Sequence, residues 1–189
     1  MMSGDQETIR VFAALSLSDD VMAFLKQRSE ALQDQFSALN IRWVPYENYH
    51  ITLNFIGNVP FTDLDRLETL IKEALVDLKG FEVNLGDAML FPPDIEKKGV
   101  LITAVENSDA LKILQKNLLQ KFREAGYQFV DRPYRPHVTL ARLRRAKVLE
   151  DDLVKTGEIS KTAISHVHLF YTEKRDGRVY NGILRSVAL

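Results

Sequence analysis

One short run occurs twice and constrains this chain more than any other feature. His50-Ile51-Thr52-Leu53 returns as His137-Val138-Thr139-Leu140. Both copies sit in stretches that alternate apolar and polar residues, the pattern of a β-strand, where side chains two apart share a face. Each His is therefore expected beside its own Thr, with Ile51 and Leu53, or Val138 and Leu140, on the buried face. A lone His-x-Thr would carry little, since threonine favours strands anyway. The repetition changes that, because packing alone would keep the apolar positions and let His and Thr drift. Both copies are also introduced by Pro and Tyr: Pro45-Tyr46 before His50, and Pro133-Tyr134 with Pro136 before His137. Two strands that each present an imidazole and a hydroxyl can close on one ligand from both sides.

The surrounding elements repeat as well. Ile9–Leu17 reads as a strand, followed by a helix carried by Val21, Phe24, Leu25, Leu32, Phe36 and Leu39, with Ser18 and Asp19 as caps. The first motif strand ends near Gly57. A second helix runs through Leu64, Leu67, Leu70, Ile71, Leu75 and Leu78, with Thr62 as its cap and Gly80 as its stop. Strands are expected at Phe81–Leu90 and Val100–Glu106. Leu111, Leu114, Leu118, Phe122 and Ala125 then mark a third helix, which Gly126 closes. A strand at Tyr127–Val130 and the second motif strand follow, and Arg144–Lys155 reads as loop or short helix. Ala163–Thr172 and Val179–Val187 read as strands joined by an Asp176-Gly177 hairpin turn. Strand 9–17, helix 21–39 and the first motif thus match strand 100–106, helix 110–125 and the second. The expectation is one duplicated unit over residues 1–189, with no linker rich in Pro, Gly or Ser to divide it.

Composition removes several function classes. With 46% hydrophobic and 27% charged residues, the chain reads as globular and large enough for a sizeable core. A net charge of −1 gives no global pull toward nucleic acid or anionic lipid, so any RNA contact must use a local patch. The absence of cysteine excludes disulfides, thiol nucleophiles and Cys-ligated metals. Residues 1–10 include acidic side chains and no apolar core, and no apolar run approaches membrane-spanning length, so a cytoplasmic protein is expected. No P-loop or dinucleotide-binding glycine pattern occurs. His166-Val167-His168 has the spacing of half a metal site, but no further ligand motif completes it. Both histidines are therefore left outside the expected site.

The paired motifs and their flanks resemble the 2H phosphoesterases, which are defined by two His-x-Thr/Ser motifs in a duplicated fold. The nearest branch is the RNA 2′,3′-cyclic phosphodiesterase group, historically called 2′-5′ RNA ligase. The resemblance extends over nearly the whole chain: RVFAALSL, WVPYENYHITLNFIG, the Phe91–Pro93 segment, RPYRPHVTLARL and the closing LFYTEKRDGRVYNGI. It implies an α+β fold of the two-lobed LigT-like kind, with two antiparallel sheets curved around a central cleft and helices outside.

It also implies a chemistry that suits the residues. Opening a cyclic phosphate needs one proton removed from water and one given to the departing ribose oxygen. Two imidazoles titrating near roughly 6.5 can hold both roles without a metal or other cofactor. By resemblance His50 is the proton donor to O3′ and His137 the proton acceptor, yielding a 2′-phosphate; the residues alone leave either polarity open. Thr52 and Thr139 would donate hydrogen bonds to the phosphate oxygens. Arg142, five residues beyond His137, matches a substrate-contacting Arg of the family. Phe55, five beyond His50, matches a common aromatic and reads either as pocket wall and stacking surface or as plain core. Arg132, Arg135, Arg144, Arg145 and Lys147 make the second motif locally basic. Expected partners are RNA or oligonucleotide ends and cyclic nucleotides, with no membrane association; a monomer is expected, although the sequence leaves oligomeric state open. Reverse 2′-5′ joining, a phosphodiesterase for small cyclic nucleotides or 2′-5′ oligonucleotides, a non-catalytic nucleotide-binding module, and a metal-dependent hydrolase using the four histidines stay open beside the leading reading.

Overall fold

Among the described residues, nine strands form two antiparallel sheets and three α-helices pack with them. The structure, a computed structural model, describes residues 7–91, 98–144, 148, 150–153, 155 and 157–189. In chain order the elements are β1 (Thr8–Leu15), α1 (Asp19–Gln35), β2 (Ile41–Trp43), β3 (Ile51–Pro60), α2 (Leu64–Ala74), β4 (Phe81–Phe91), β5 (Lys98–Val105), α3 (Asp109–Glu124), β6 (His137–Arg144), β7 (Ser160–Ile164), β8 (His166–Arg175) and β9 (Arg178–Ala188). Short 3₁₀ turns at Tyr46–Asn48, Phe61–Asp63 and Glu150–Asp152 complete the described path.

The first sheet has strand order β3-β1-β8-β9 and the second β2-β6-β5-β4-β7. The motif strands β3 and β6 each pair with the strand that opens their own repeat, β1 and β5. Each half also lends strands to the other: β4 and β2 lie in the second sheet, β8 and β9 in the first. The helices cross over in the same way. α1 lies against β7 of the second sheet, and Arg28 on α1 donates to the Gly86 carbonyl of β4. α2 and α3 pack together against β9 and β3 of the first sheet.

Apolar side chains from both sheets and all three helices form one continuous core, including Leu25, Ile51, Leu67, Leu101, Leu118, Val138 and Leu169. A separate small cluster of Phe12, Ala14 and Phe170 lies on the other face of the first sheet. No helix among the described residues is long and apolar enough to cross a membrane.

Several sequence expectations shift. Tyr127–Val130 is not a strand; it belongs to an irregular approach to β6, with Phe129 stacked 6.1 Å from Phe122. Tertiary packing of that ring satisfies the apolar run without a ladder. Ala163–Thr172 is not one strand. The chain changes sheets at Ser165, so β7 ends in the second sheet and β8 begins in the first. α1 stops at Gln35 and α2 at Ala74, short of Leu39 and Leu78. Ser18 does precede α1 but caps nothing with its side chain; its hydroxyl accepts from Thr162 of β7 at 3.2 Å. Asp63 rather than Thr62 precedes α2. Gly126, at φ 96°, follows α3 as expected, and Asp176 and Gly177 take φ 48° and 74°, the double left-handed turn a tight hairpin needs. Pro92, Pro93, Arg145 and Lys147 lie outside the described residues.

Candidate active site

The two motifs present their polar residues by the same irregularity. In β3 the pairing with β1 passes from Ala13↔Asn54 to Ala14↔Thr52, leaving Leu53 as an extra residue. In β6 the pairing with β5 passes from Leu101↔Ala141 to Ile102↔Thr139, leaving Leu140 extra. The bulged residue is thus the closing Leu of each motif. A bulge shifts the in–out alternation by one. Leu53 and Asn54 are both buried, as are Leu140 and Ala141, and the next outward positions fall at 55 and 142. His50, Thr52 and Phe55 share one face for this reason, and His137, Thr139 and Arg142 share another. Plain alternation would have turned Phe55 and Arg142 into the core.

Each imidazole is anchored alike. The carbonyl of Asn48 lies 2.7 Å from His50 Nδ1, and that of Arg135 lies 2.7 Å from His137 Nδ1. A carbonyl only accepts, so both Nδ1 atoms carry hydrogen, and each Nε2 is the atom left for chemistry. His50 Nε2 lies 3.1 Å from Thr52 Oγ1 and accepts from that hydroxyl when the ring is neutral. Asn48 is itself clamped: its side chain donates to Val179 O at 2.7 Å and accepts from Asn181 N at 3.0 Å, tying the turn before His50 to β9. The loop before the second motif reaches back, with Tyr134 Oη donating to Thr52 O at 3.2 Å.

His50 rests on aromatic side chains. Its ring lies 4.9 Å from Phe12 and 5.6 Å from Phe170, which stack on each other at 5.3 Å. Burial lowers its pKa below the ordinary histidine value. The hydrogen bond to Asn48 opposes that shift, while the nearby His137 and Arg142 add to it. The motif strands β3 and β6 are in contact, which sets the second motif near the first. His137 faces Phe91, at 6.4 Å and nearly parallel, and the Arg135 guanidinium lies over that same ring at 5.2 Å.

Residues 22–176 match the family description of the 2′-5′ RNA ligase superfamily. The chain belongs to this superfamily. A Methanothermobacter thermautotrophicus relative named RNA 2′,3′-cyclic phosphodiesterase is 26% identical over 163 residues, 85% of each chain. A Bacillus subtilis relative of the same name is 35% identical over 101 residues, 53% of this chain and 55% of the relative. Among solved structures, Escherichia coli LigT complexed with 3′-AMP matches with a TM-score of 0.78 at 24% identity, covering 97% and 99% of the two chains. A Thermus thermophilus protein matches at 0.81 and 22% identity, covering 96% and 98%. These likenesses carry the LigT-like fold, two antiparallel sheets with helices, in line with the family resemblance.

Beyond the residues read from sequence, register reveals a second arginine, Arg42, beside the candidate site. It stands directly opposite Arg142 in the β2–β6 pair. Like charges directly opposite on a sheet repel, so the couple suits a bound anion. Arg42 also donates to the Gly177 carbonyl at 3.2 Å, which ties β2 to the closing hairpin. Asn48 and Tyr134 were equally illegible, since their partners are far away in sequence. Phe55 is 64% exposed, so its plain-core reading fails. His166 and His168 stack on each other at 5.9 Å, and among the described residues no group of three or more metal-ligating side chains is assembled.

Proposed function

We propose that this protein opens 2′,3′-cyclic phosphate ends of RNA to 2′-phosphomonoesters by two-histidine acid–base catalysis, within one duplicated domain. The observation that supports it most is the matched pair of imidazoles, each pinned through Nδ1 to the carbonyl two residues earlier. His50 Nε2 lies 3.1 Å from the Thr52 hydroxyl, and each imidazole shares a face with its motif threonine and with Phe55 or Arg142. The relatives named RNA 2′,3′-cyclic phosphodiesterase point the same way.

In this reading His137 Nε2 takes a proton from water as its oxygen attacks phosphorus. His50 Nε2 gives a proton to O3′ as the P–O3′ bond breaks, leaving phosphate on O2′. Thr52 and Thr139 donate to the non-bridging oxygens, and Arg142 faces the charge that builds there. Both proton transfers use groups of the protein, so the chemistry proceeds without a metal.

The polarity has a physical condition. Burial, with the nearby Arg142 adding to it, lowers the His50 pKa in the free protein. A bound phosphate anion offsets the Arg142 charge and favours the imidazolium, so the acid forms in the complex. Joining uses the same cyclic end with another nucleophile. The 5′-hydroxyl of a second strand replaces water and gives its proton to His137 as its oxygen bonds to phosphorus. O3′ leaves with the proton from His50, forming a 2′-5′ linkage; water at ordinary concentration favours hydrolysis.

The test is hydrolysis, in the presence of EDTA, of a short RNA ending in a 2′,3′-cyclic phosphate, with the 2′- and 3′-phosphate products resolved. Turnover to the 2′-phosphate is expected. A 3′-phosphate product would contradict O3′ as the leaving group, and loss of activity with EDTA would contradict the metal-free mechanism.

A further inference from the structure

The face of the first sheet that carries His50 bears a second imidazole pair. Alternation along β8 buries Val167 and Leu169 and turns His166, His168 and Phe170 to the other side. That side is the one His50 occupies, because Phe170 contacts both the His50 ring at 5.6 Å and the His168 ring at 5.9 Å. Pairing sets Thr52, Ala14, His168 and Ser186 in one row across β3, β1, β8 and β9. With strands roughly 4.8 Å apart, His168 stands about 10 Å from Thr52.

His168 is positioned rather than free to swing. Its Nδ1 lies 2.8 Å from Ser186 Oγ, and its ring stacks on His166. Burial, and next the neighbouring His166, lower its pKa, so the ring is neutral at neutral pH. The Ser186 hydroxyl can donate or accept, so this contact fits either tautomer; in the one whose Nδ1 accepts, the ring carries its hydrogen on Nε2 and donates from there. The residues at and beside this row on β1, β3 and β9 are Phe12, Ala14, Thr52, Ile183, Ser186 and Ala188, none of them acidic. A fixed imidazole with no acidic residue among these neighbours, a hydroxyl beside it at Ser186 and exposed Ile183 on β9, matches a sugar–phosphate chain.

We propose that this row seats a phosphodiester upstream of the cyclic end, with His168 Nε2–H donating to a non-bridging oxygen and Ser186 and His166 beside it. The inference rests on the functional reading above and adds a specificity determinant: a subsite that favours oligonucleotide ends over mononucleotides. The strand would run from Thr52 across β1 to β8, and His168 would set length preference without touching the reacting atoms.

The experiment compares wild type, His168→Ala and His168→Gln on adenosine 2′,3′-cyclic phosphate and on a short RNA with the same end. Wild type should favour the RNA. His168→Ala should lower kcat/KM on RNA about tenfold, the scale of one hydrogen bond to a charged group, and leave the mononucleotide rate unchanged. His168→Gln, which keeps a donor, should recover part of the loss. An equal effect on both substrates, or none on RNA, would overturn the proposal. Binding of a fluorescent RNA ending in a 2′-phosphate, against adenosine 2′-phosphate as competitor, gives a readout that does not need turnover. Weaker RNA binding by His168→Ala alongside an inert wild type would sink the functional reading and keep the subsite. Should His168→Ala fold poorly, Ser186→Ala, at an exposed position, tests the same row. The same selective loss on RNA is expected, and an equal or absent effect would overturn the proposal.

Discussion

At the scale of single residues, the site is built on hydrogen bonds that fix which atom of each group is free. The Nδ1–carbonyl contacts leave both Nε2 atoms for proton transfer. The Thr52 hydroxyl, which donates to a neutral His50 in the free protein, must turn to a phosphate oxygen once the ring is charged. Thr52→Ala and Thr139→Ala should each cost on the order of 10²-fold in kcat, with smaller changes in KM, if they stabilise charge that develops in the transition state. Steady-state kinetics would show this, and an increase confined to KM would contradict it. The assignment of acid and base has its own test. A cyclic substrate with sulfur in place of O3′ has a leaving group that departs without a proton. His50→Ala should recover much of its activity on that substrate, and His137→Ala should not. The opposite pattern would reverse the two roles.

At the scale of elements, the bulges at Leu53 and Leu140 convert a repeated tetrapeptide into two three-residue faces. The matched spacing of Phe55 and Arg142 from their histidines is legible in the sequence, but its cause is not. Period-two reasoning sends both side chains inward; only pairing shows the extra residue that turns them out. The repeated strand–helix–strand order was legible because apolar periodicity is local. The split at Ser165 was not, because a continuous alternating run gives no sign that its two halves pair with different sheets. Neither was the Asn48 clamp, whose partners on β9 lie more than 130 residues away. The bulge in β6 makes a paired prediction. Arg142→Ala should lower kcat/KM while changing stability by no more than about 0.5 kcal/mol, as expected at an exposed position. Ala141→Leu, at a position with no exposure, should instead destabilise by about 1–3 kcal/mol through overpacking. Thermal melts and kinetics on the two variants decide it. Unbroken alternation would exchange the two outcomes.

At the scale of the whole molecule, strands and helices lent between the halves bring two equivalent motifs against each other, and the cost is an imidazole buried near Arg142. His50 and His168 both have folded-state pKa values below the ordinary one. Between those lowered values and roughly 6.5 the unfolded chain binds more protons than the folded one, so stability rises with pH in this window. The contribution is fully present above pH 6.5 and is lost as pH falls through the lowered values. The melting temperature should therefore decline on acidification from about pH 7 to about pH 5.5, and the double variant His50→Gln/His168→Gln should flatten the decline. An equally steep decline in that variant would place its origin elsewhere. The most direct test of the account is single-turnover hydrolysis of an RNA 2′,3′-cyclic phosphate by wild type, His50→Ala and His137→Ala. Each substitution should reduce the rate by at least about 10²-fold while RNA binding and the melting temperature change little. An inert wild type, or a substitution at either histidine that leaves the rate near wild type, would contradict two-histidine catalysis.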